Sequence, residues 1–183
     1  MLSVSFDIDG TLVDNARLVR AAYEAAGVVL TDAQWTEVWG KPYAEWLVKH
    51  LGGDYEKAWR VHLAKNEHYE RLQPSIGWAP LSGLTVARFL ADHPNHFEVS
   101  FITGSSRVAA NFVLSHFKLP QSRVFAGLTP DGKVAKVREL GCIHIDDDDT
   151  VVHKMQIADQ RCIKYRVSID PQSLVDMIKE MFR

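Results

Sequence analysis

The feature that most constrains this fold is a regular alternation of short apolar runs and helical stretches along residues 80–183. Val99–Ile102 and Cys142–Ile145 are apolar and have the length of buried strands, and Ser106–Phe117 lies between them with helical periodicity. Strands that alternate with helices at this spacing form a parallel sheet covered by helices on both faces. The sequence therefore predicts an α/β fold with a Rossmann-like parallel sheet, to which Leu2–Phe6 adds the first strand.

Residues 15–79 lack such strand-like runs and have helical periodicity instead. Capping and breaking residues divide them into four predicted helices: Asn15–Gly27, a helix from Thr31-Asp32 to Gly40, a helix with Pro42 in its first turn, and Asp54–Gln73. Four helices without a strand between them are typical of a small bundle. We therefore expect a core domain of residues 1–14 and 80–183, and an inserted four-helix cap of residues 15–79.

Three of the predicted strands end in polar groups that are distant from one another in the sequence. They are Asp7-Ile8-Asp9, Thr103-Gly104-Ser105-Ser106 and Asp146-Asp147-Asp148-Asp149. In open parallel sheets, ligands bind beyond the carboxyl ends of the strands, near the point where the strand order reverses. We therefore expect the three groups to meet at one edge of the sheet and to form the functional site.

The carboxylates of this edge predict a magnesium site. Four of them would repel one another and raise each other's pKa unless a cation lay among them. They belong to Asp7, Asp9, Asp146 and Asp147. Oxygen ligands of this kind suit Mg²⁺, which also binds water and substrate phosphate. The groups that can hold the phosphate are the Thr103 hydroxyl, the N–H groups of Gly104 and Ser105 at a helix N-terminus, and the Lys133 ammonium.

The spacing of Asp7 and Asp9, two residues apart at a strand end, suits phosphoryl transfer. A carboxylate can accept a phosphoryl group and form an aspartyl phosphate, which water then cleaves. A second carboxyl group can protonate the leaving oxygen and afterwards deprotonate the water. Because the transition state is loose and highly charged, a metal ion and a lysine provide most of its stabilisation. Asp7 and Asp9 can fill the two carboxylate roles.

Four motifs resemble, in order, those of the haloacid dehalogenase (HAD) superfamily. Phe6–Asp14, which reads FDIDGTLVD, resembles the first motif, and Val99–Gly104 resembles the second, a strand that ends in Thr or Ser. Lys133 lies thirteen residues before Asp146 and resembles the lysine of the third motif. Ile143–Asp147 resembles the acidic fourth motif. The resemblance covers nearly the whole chain.

This resemblance implies a role for each motif residue. Asp7 would be the nucleophile and a metal ligand, and Asp9 the general acid/base whose backbone carbonyl is a second ligand. The remaining implied roles are phosphate binding by Thr103, Gly104 and Lys133, and metal binding by Asp147 with Asp146 beside it. Two departures affect the metal shell, because no Lys-Pro follows the third motif and Val151 stands where an extra acid is common.

The activity that the resemblance implies is Mg²⁺-dependent hydrolysis of a phosphomonoester, on a small phosphorylated metabolite and through an aspartyl phosphate. A phosphomutase of the β-phosphoglucomutase type is an alternative on the same residues. A 5′-nucleotidase is another, because Ile145–Val151 is also similar to the deoxyribonucleotidase form of the fourth motif. A catalytically silent module that binds a phosphorylated ligand is an alternative from a different class.

The predicted helical segment resembles the cap of the phosphoglycolate-phosphatase and β-phosphoglucomutase branch. Within it, Gly40–Leu47 is similar to the specificity loop of that branch, so Gly40 and Lys41 are expected to select the substrate. All five tryptophans lie in this segment or just after it. We expect them to fill the core of a small bundle, except Trp39, which with Tyr43 flanks Gly40-Lys41.

Several other residues near the motifs have simpler structural interpretations. Lys136 lies one helical turn after Lys133 and competes with it as the third-motif lysine. Asp149, just before Thr150, is expected to cap a helix, with Asp148 facing solvent. His144 lies in a predicted central strand, and we expect it to be a structural residue whose hydrogen bonds are satisfied.

Composition and charge exclude several other classes of protein. The formal net charge of −2 argues against a general electrostatic grip on nucleic acid or an anionic membrane. Cys142 and Cys162 lie in apolar runs without the neighbours that a zinc site requires, so both are expected to be reduced thiols. The N-terminus lacks the features of a secretory signal and no run reaches membrane-spanning length, so we expect a cytoplasmic protein.

Overall fold

The computed structural model of the chain describes residues 1–39, 41 and 43–182. Its strands are β1 (Leu2–Phe6), β2 (Val13–Asp14), β3 (Ala79–Pro80), β4 (Phe97–Ile102), β5 (Val124–Phe125), β6 (Ile143–Asp146) and β7 (Cys162–Lys164). Within these described residues, five strands form a parallel sheet in the order β5-β4-β1-β6-β7. The predicted α/β class and its parallel sheet are confirmed.

The helices of the described residues belong to two compact units. The first unit, Asn15–Trp78, contains α1 (Ala16–Ala25), α2 (Asp32–Val38), α3 (Tyr43–His50) and α4 (Tyr55–Ile76). The second unit is formed by residues 1–14 and the chain from Ala79 onward, and it contains the strands and α5 (Ser82–Ala91), α6 (Arg107–His116), α7 (Pro130–Leu140), α8 (Asp149–Ile157) and α9 (Pro171–Glu180). None of these helices has the length and apolar content needed to cross a bilayer.

Strand β1 lies in the middle of the parallel sheet and pairs with β4 on one side and β6 on the other. Its Val4 and Phe6 side chains are fully buried because the sheet is covered on both faces. At the start of α5, a Cβ on Gly83 would collide with the carbonyl oxygen of Thr11, so only glycine allows this close approach. Because β1 pairs in parallel with both neighbours, the carboxyl ends of β4, β1 and β6 lie side by side.

A short antiparallel pair of β2 and β3 was not predicted from the sequence. Val13 pairs with Pro80 and Asp14 with Ala79, and the N–H of Leu81 donates to the carbonyl of Leu12 at 2.9 Å. Pro80 has no N–H to donate, which a two-residue edge pair tolerates. The chain leaves the sheet unit after β2 and re-enters it at β3.

The helical unit has its own apolar core, formed by Tyr23, Val28, Leu30, Trp46, Leu47 and Ala58. Trp46 is buried there and Trp35 packs against it, as expected for tryptophans in a small bundle. Trp59 departs from that expectation, because 48% of it is exposed and its ring lies beside His62, with a centroid separation of 6.0 Å. Trp39, which was not expected to lie in the core of the bundle, is 41% exposed.

Two helix boundaries differ from the prediction for identifiable reasons. Helix α4 continues past Pro74 to Ile76, where the N–H of Gly77 donates to the carbonyl of Gln73 at 2.7 Å. A proline removes one helical hydrogen bond, and little of the helix remains after this position. The sequence predicts a helix from Lys133 to Leu140, but helix α7 begins three residues earlier, because Thr129 caps it and Pro130 suits the first helical position.

Candidate active site

Asp7 follows β1 directly and lies at the carboxyl edge of the sheet. Its N–H donates to the carbonyl of Ile145 at 2.9 Å, which ties it to the end of β6, and it is only 6% exposed. A tight turn follows, in which the N–H of Gly10 donates to the carbonyl of Val13 at 2.8 Å. This turn brings Asp9 back toward the strand end.

Gly10 is required in this turn for two reasons. Its φ of +83° is a conformation that residues with a side chain rarely adopt. A Cβ there would also lie 2.5 Å from Cγ and 2.6 Å from Oδ1 of Asp147, well inside van der Waals contact. The neighbouring Thr11 holds the same carboxylate, since its hydroxyl donates to Asp147 Oδ1 at 3.1 Å.

Lys133 is the lysine that the structure brings to this edge. It is 5% exposed, and its Nζ donates to Asp7 Oδ1 at 2.9 Å and to Asp146 Oδ2 at 2.7 Å. The competing Lys136 instead pairs with Glu139 at 2.5 Å. Of these two lysines, Lys133 is therefore the one that contacts the acidic cluster.

Asp146 and Lys133 form a buried ion pair. Burial alone would raise the pKa of Asp146, but the hydrogen bond from His144 and the charge of Lys133 outweigh it and lower that pKa to about 2. Burial alone would lower the pKa of Lys133, but Asp7 and Asp146 outweigh it and raise the pKa above its usual value. Both side chains are consequently ionised near neutral pH.

Asp7 and Asp147 have the opposite tendency. Burial raises the pKa of Asp7 well above its usual value, and the charges of Asp146, Asp9 and Asp147 add to this effect against the opposing charge of Lys133. Burial and the charge of Asp146 raise the pKa of Asp147 to about 6. One lysine is therefore insufficient to offset the carboxylates of this edge.

A divalent cation fits this excess of negative charge. Among the described residues, Asp7, Asp146 and Asp147 each offer a carboxylate oxygen, and these oxygens lie within 4.8 Å of one another. Oxygen ligands in such a group suit a hard cation, with Mg²⁺ bound through few carboxylates and several waters. A bound cation would also favour the ionised forms of Asp7 and Asp147.

Asp9 lies against the residues that follow β4. Asp9 is partly buried, and its Oδ2 accepts a hydrogen bond from the Ser105 hydroxyl. The buried Thr103 hydroxyl accepts from the N–H of Ser105 at 3.1 Å. Gly104 is exposed between them, and Ser106 caps α6 through its hydroxyl. The sequence-predicted group after β4 thus lies against the acidic turn after β1.

Two of the four consecutive aspartates have positions in α8 that differ from the prediction. Asp148 is the cap of α8, because it keeps an extended backbone and its Oδ1 accepts from the N–H of Thr150 at 2.7 Å. Asp149 is already helical and exposed, and it lies 2.8 Å from Lys164 Nζ. Val151 is buried in the core, which explains why no acid stands there.

Two residues that contact the site, Thr11 and Lys164, were not assigned a role from the sequence, and a third, Ser105, was expected only to offer its N–H to the phosphate. Ser105 holds Asp9, Thr11 holds Asp147, and Lys164 donates to the carbonyl of Asp147. Ser105 and Thr11 lie within the predicted motifs, so their position was an available signal. Lys164 is brought in by the pairing of β7 with β6, opposite Asp146, which the sequence alone does not reveal.

The structure describes one of the two residues that were expected to select the substrate. Lys41 belongs to the helical unit and is exposed. Gly40 lies outside the described residues. Their role in specificity therefore stays a prediction.

Solved structures of low sequence identity have the same fold as this chain. A hydrolase from Pseudomonas syringae matches with a TM-score of 0.75 at 20% identity, over 99% of this chain and 99% of that chain. CbbY from Rhodobacter sphaeroides, in complex with phosphate, matches with a TM-score of 0.74 at 19% identity, over 93% and 92%. A HAD hydrolase of family IA from Entamoeba histolytica matches with a TM-score of 0.71 at 17% identity, over 98% and 100%.

Neither a protein-family model nor a curated protein sequence matches the chain. The structural likenesses nevertheless span almost the full length of both chains in each pair. The chain therefore has the fold of HAD hydrolases, and the resemblance predicted from its four motifs is confirmed at the level of the fold.

Proposed function

We propose that this chain is a Mg²⁺-dependent phosphatase that hydrolyses a small phosphomonoester through an aspartyl phosphate on Asp7. The observation that carries the proposal is the buried carboxylate of Asp7, which contacts Lys133 at 2.9 Å within a cluster that includes Asp146 and Asp147. Carboxylates that outnumber the one lysine they contact are an unfavourable arrangement unless they serve binding or catalysis. The phosphate bound to the structurally similar CbbY supports a phosphorylated substrate.

In the first step, a carboxylate oxygen of Asp7 attacks the phosphorus of the substrate. The bond from phosphorus to the ester oxygen breaks, its electron pair stays with that oxygen, and Asp9 donates the proton that the departing alcohol needs. The hydroxyl of Ser105, which donates to Asp9 Oδ2, keeps this carboxyl group beside the strand end. The products of the step are a free alcohol and an aspartyl phosphate on Asp7.

In the second step, Asp9 acts as a base. It takes a proton from water, the water oxygen attacks the phosphorus, and Asp7 leaves as a carboxylate. Inorganic phosphate is released, and both aspartates return to their starting protonation states. The two steps therefore balance without any additional reactant.

Phosphate binding is assigned to Lys133, Thr103 and Gly104. The ammonium of Lys133 is charged and already directed at Asp7, so it can neutralise a phosphate oxygen next to the nucleophile. The Thr103 hydroxyl accepts from Ser105 N–H, which leaves its own proton to donate to a phosphate oxygen. The exposed backbone of Gly104 stands just before the N-terminus of α6, where anions bind favourably.

The metal site is assigned to Asp7 and Asp147, with the backbone carbonyl of Asp9 and with Asp146 beside them. When bound, Mg²⁺ supplies positive charge that neutralises the transferring phosphoryl group. Thr11 and Gly10 orient the Asp147 carboxylate for this role, one by a hydrogen bond and the other by leaving space for it. Selection of the substrate is assigned to the helical unit, with Gly40 and Lys41 as the candidate residues.

The test is hydrolysis of p-nitrophenyl phosphate with and without Mg²⁺ by the wild type, by Asp7→Asn and by Asp176→Asn. Asp176 is an aspartate on the surface of α9 and serves as the matched control. We expect Mg²⁺-dependent activity that Asp7→Asn lowers by at least about 1,000-fold and that the control leaves unchanged. Full activity in Asp7→Asn would contradict the assignment of the nucleophile.

A panel of phosphorylated metabolites then identifies the substrate class. Release of inorganic phosphate from a member of the panel supports the phosphatase. Conversion of a sugar 1-phosphate to the 6-phosphate, without release of phosphate, would instead identify a phosphomutase. A chain that binds one member and turns over none would be a silent binding module.

A further inference from the structure

Buried side chains of β1 and β6 form a series of hydrogen bonds that ends at Lys133. The Ser5 hydroxyl lies 3.0 Å from Nδ1 of His144, and Nε2 of His144 lies 3.0 Å from Oδ2 of Asp146. The same oxygen of Asp146 accepts from Lys133 at 2.7 Å. Ser5, His144 and Asp146 are all fully buried, so these groups have no water with which to exchange these contacts.

The partners of His144 determine which ring nitrogen carries the proton. Asp146 is ionised beside Lys133, and a carboxylate can only accept hydrogen bonds. Nε2 must therefore carry the proton and donate to Asp146. In the neutral ring Nδ1 is then an acceptor, and it accepts from the Ser5 hydroxyl, whose oxygen also lies 3.1 Å from Cys142 Sγ and 3.4 Å from the carbonyl oxygen of Ile143. The ring is held from both sides in one tautomer and one orientation.

His144 is one of three donors that hold the Asp146 carboxylate in place. His144 and Lys133 donate to Oδ2, and the N–H of Asp148 donates to Oδ1 at 2.8 Å. Rotation of this carboxylate would break all three contacts. The lysine is held in turn, because its Nζ lies between Asp146 and Asp7.

We propose that His144 is a positioning residue that, through Asp146, holds the ammonium of Lys133 against the nucleophilic oxygen of Asp7. The proposal rests on the phosphatase function proposed above. His144 itself touches neither Asp7 nor the substrate site, and it acts by fixing the carboxylate on which Lys133 depends. Ser5 contributes by fixing the tautomer of His144.

The simpler interpretation is that His144 only satisfies its own hydrogen bonds in the core. The two interpretations differ in measurable ways. A purely structural histidine affects stability, and it has no reason to change kcat in a variant that remains folded. A positioning histidine changes kcat and the environment of the Lys133 ammonium, and a side chain that restores the donor restores both.

The first experiment uses the wild-type chain without metal or substrate. ¹⁵N NMR of the histidine ring tells which nitrogen of His144 is protonated, and the ¹H–¹⁵N signal of the Lys133 ammonium reports its hydrogen bonds. We expect a protonated Nε2, an unprotonated Nδ1 and a Lys133 signal protected from exchange. An unprotonated Nε2 would overturn the proposal.

The second experiment compares His144→Leu with His144→Gln. Leucine removes the donor, whereas the amide nitrogen of glutamine can replace Nε2. We expect His144→Leu to lower kcat about 10- to 100-fold and to alter the Lys133 signal, while His144→Gln recovers most of both. Thermal unfolding of each variant establishes that it is folded.

Two outcomes of the second experiment would overturn the proposal: wild-type kcat in His144→Leu, or an equal loss in both folded variants. If His144→Leu does not fold, Ser5→Ala takes its place, because it leaves His144 and removes the hydroxyl that contacts Nδ1, together with the contacts of that hydroxyl to Cys142 Sγ and the Ile143 carbonyl. A lower kcat and a shifted Lys133 signal in Ser5→Ala support the proposal, and no change in either contradicts it. Failure of the phosphatase proposal appears separately, as an inactive wild type whose NMR signals still report the network.

Discussion

Substitution of Gly10 by alanine tests how the turn after β1 shapes the proposed metal site. The substitution adds one methyl group at a position with φ of +83°. That methyl group would lie 2.5 Å from Cγ of Asp147, so the carboxylate has to move away. Its movement breaks the hydrogen bond from the Thr11 hydroxyl, which is 3.1 Å long and comes from a fully buried residue.

The expected loss of stability has two parts. A residue with a side chain in this left-handed conformation loses about 1–2 kcal/mol. The lost hydrogen bond to a charged carboxylate adds roughly 1.5–3 kcal/mol, because the buried Thr11 hydroxyl has no water to replace Asp147. We therefore expect Gly10→Ala to lower the free energy of unfolding by roughly 3–5 kcal/mol.

Gly141→Ala is a matched control for the backbone part. Gly141 has a φ of +59° at the end of α7, and nothing lies within 4 Å of a Cβ built there. Urea unfolding of both variants without metal should give a loss of about 1–2 kcal/mol for the control. The difference between the two variants measures the displacement of Asp147.

The same displacement should weaken Mg²⁺ binding. We expect the Mg²⁺ concentration for half-maximal phosphatase activity to rise at least about 10-fold in Gly10→Ala and to stay unchanged in Gly141→Ala. Isothermal titration with Mg²⁺ checks the affinity independently of activity. Equal stability losses in the two variants, together with unchanged Mg²⁺ binding, would refute the contact between Gly10 and Asp147 as the reason for glycine.

Two further predictions concern the helical unit. Burial, together with the charge of Lys65, lowers the pKa of His62 to about 4, so stability that is present above pH 6.5 should be lost as pH falls toward 4. His62 is partly exposed, and after discounting for solvent screening we expect it to contribute roughly 1–2 kcal/mol in urea unfolding. His62→Phe should remove this contribution to the pH dependence while keeping the stack with Tyr43, and a pH dependence identical to that of the wild type would contradict the prediction. Thr31→Ala should cost about 1 kcal/mol in the same assay, because it removes the capping box with Gln34, whereas the exposed Thr36→Ala should cost less.

Much of the fold could be predicted from the sequence because its signals are local. The strand Leu2–Phe6 was predicted with the bounds that the structure has, and Thr31 was predicted as a helix cap. The pair β2–β3 could not be predicted, because two-residue strands carry no periodicity and join positions 13–14 to 79–80. Pro74 misled the prediction, since proline usually ends a helix but here lies in its last turn.

For the candidate site, too, the sequence predicted features that depend on neighbouring residues and missed contacts between residues distant in the sequence. The sequence by itself determined which strand ends carry the reactive groups, because parallel strands deliver their carboxyl ends to one edge, and so Asp7 and Asp146 were expected to meet. Only the tertiary structure decided the partner of each group. It brings Ser5 to His144 and Lys164 to the loop of Asp147.

The physical reason for this difference is the range of the interactions. Period, capping and turn conformation depend on residues within a few positions, so the sequence displays them directly. Hydrogen bonds between side chains depend on strand order, register and rotamer, which result from packing over the whole sheet. Asp7 could therefore be proposed as the nucleophile from nine consecutive letters, whereas the hydrogen bonds that hold Lys133 in place could be identified only from the folded chain.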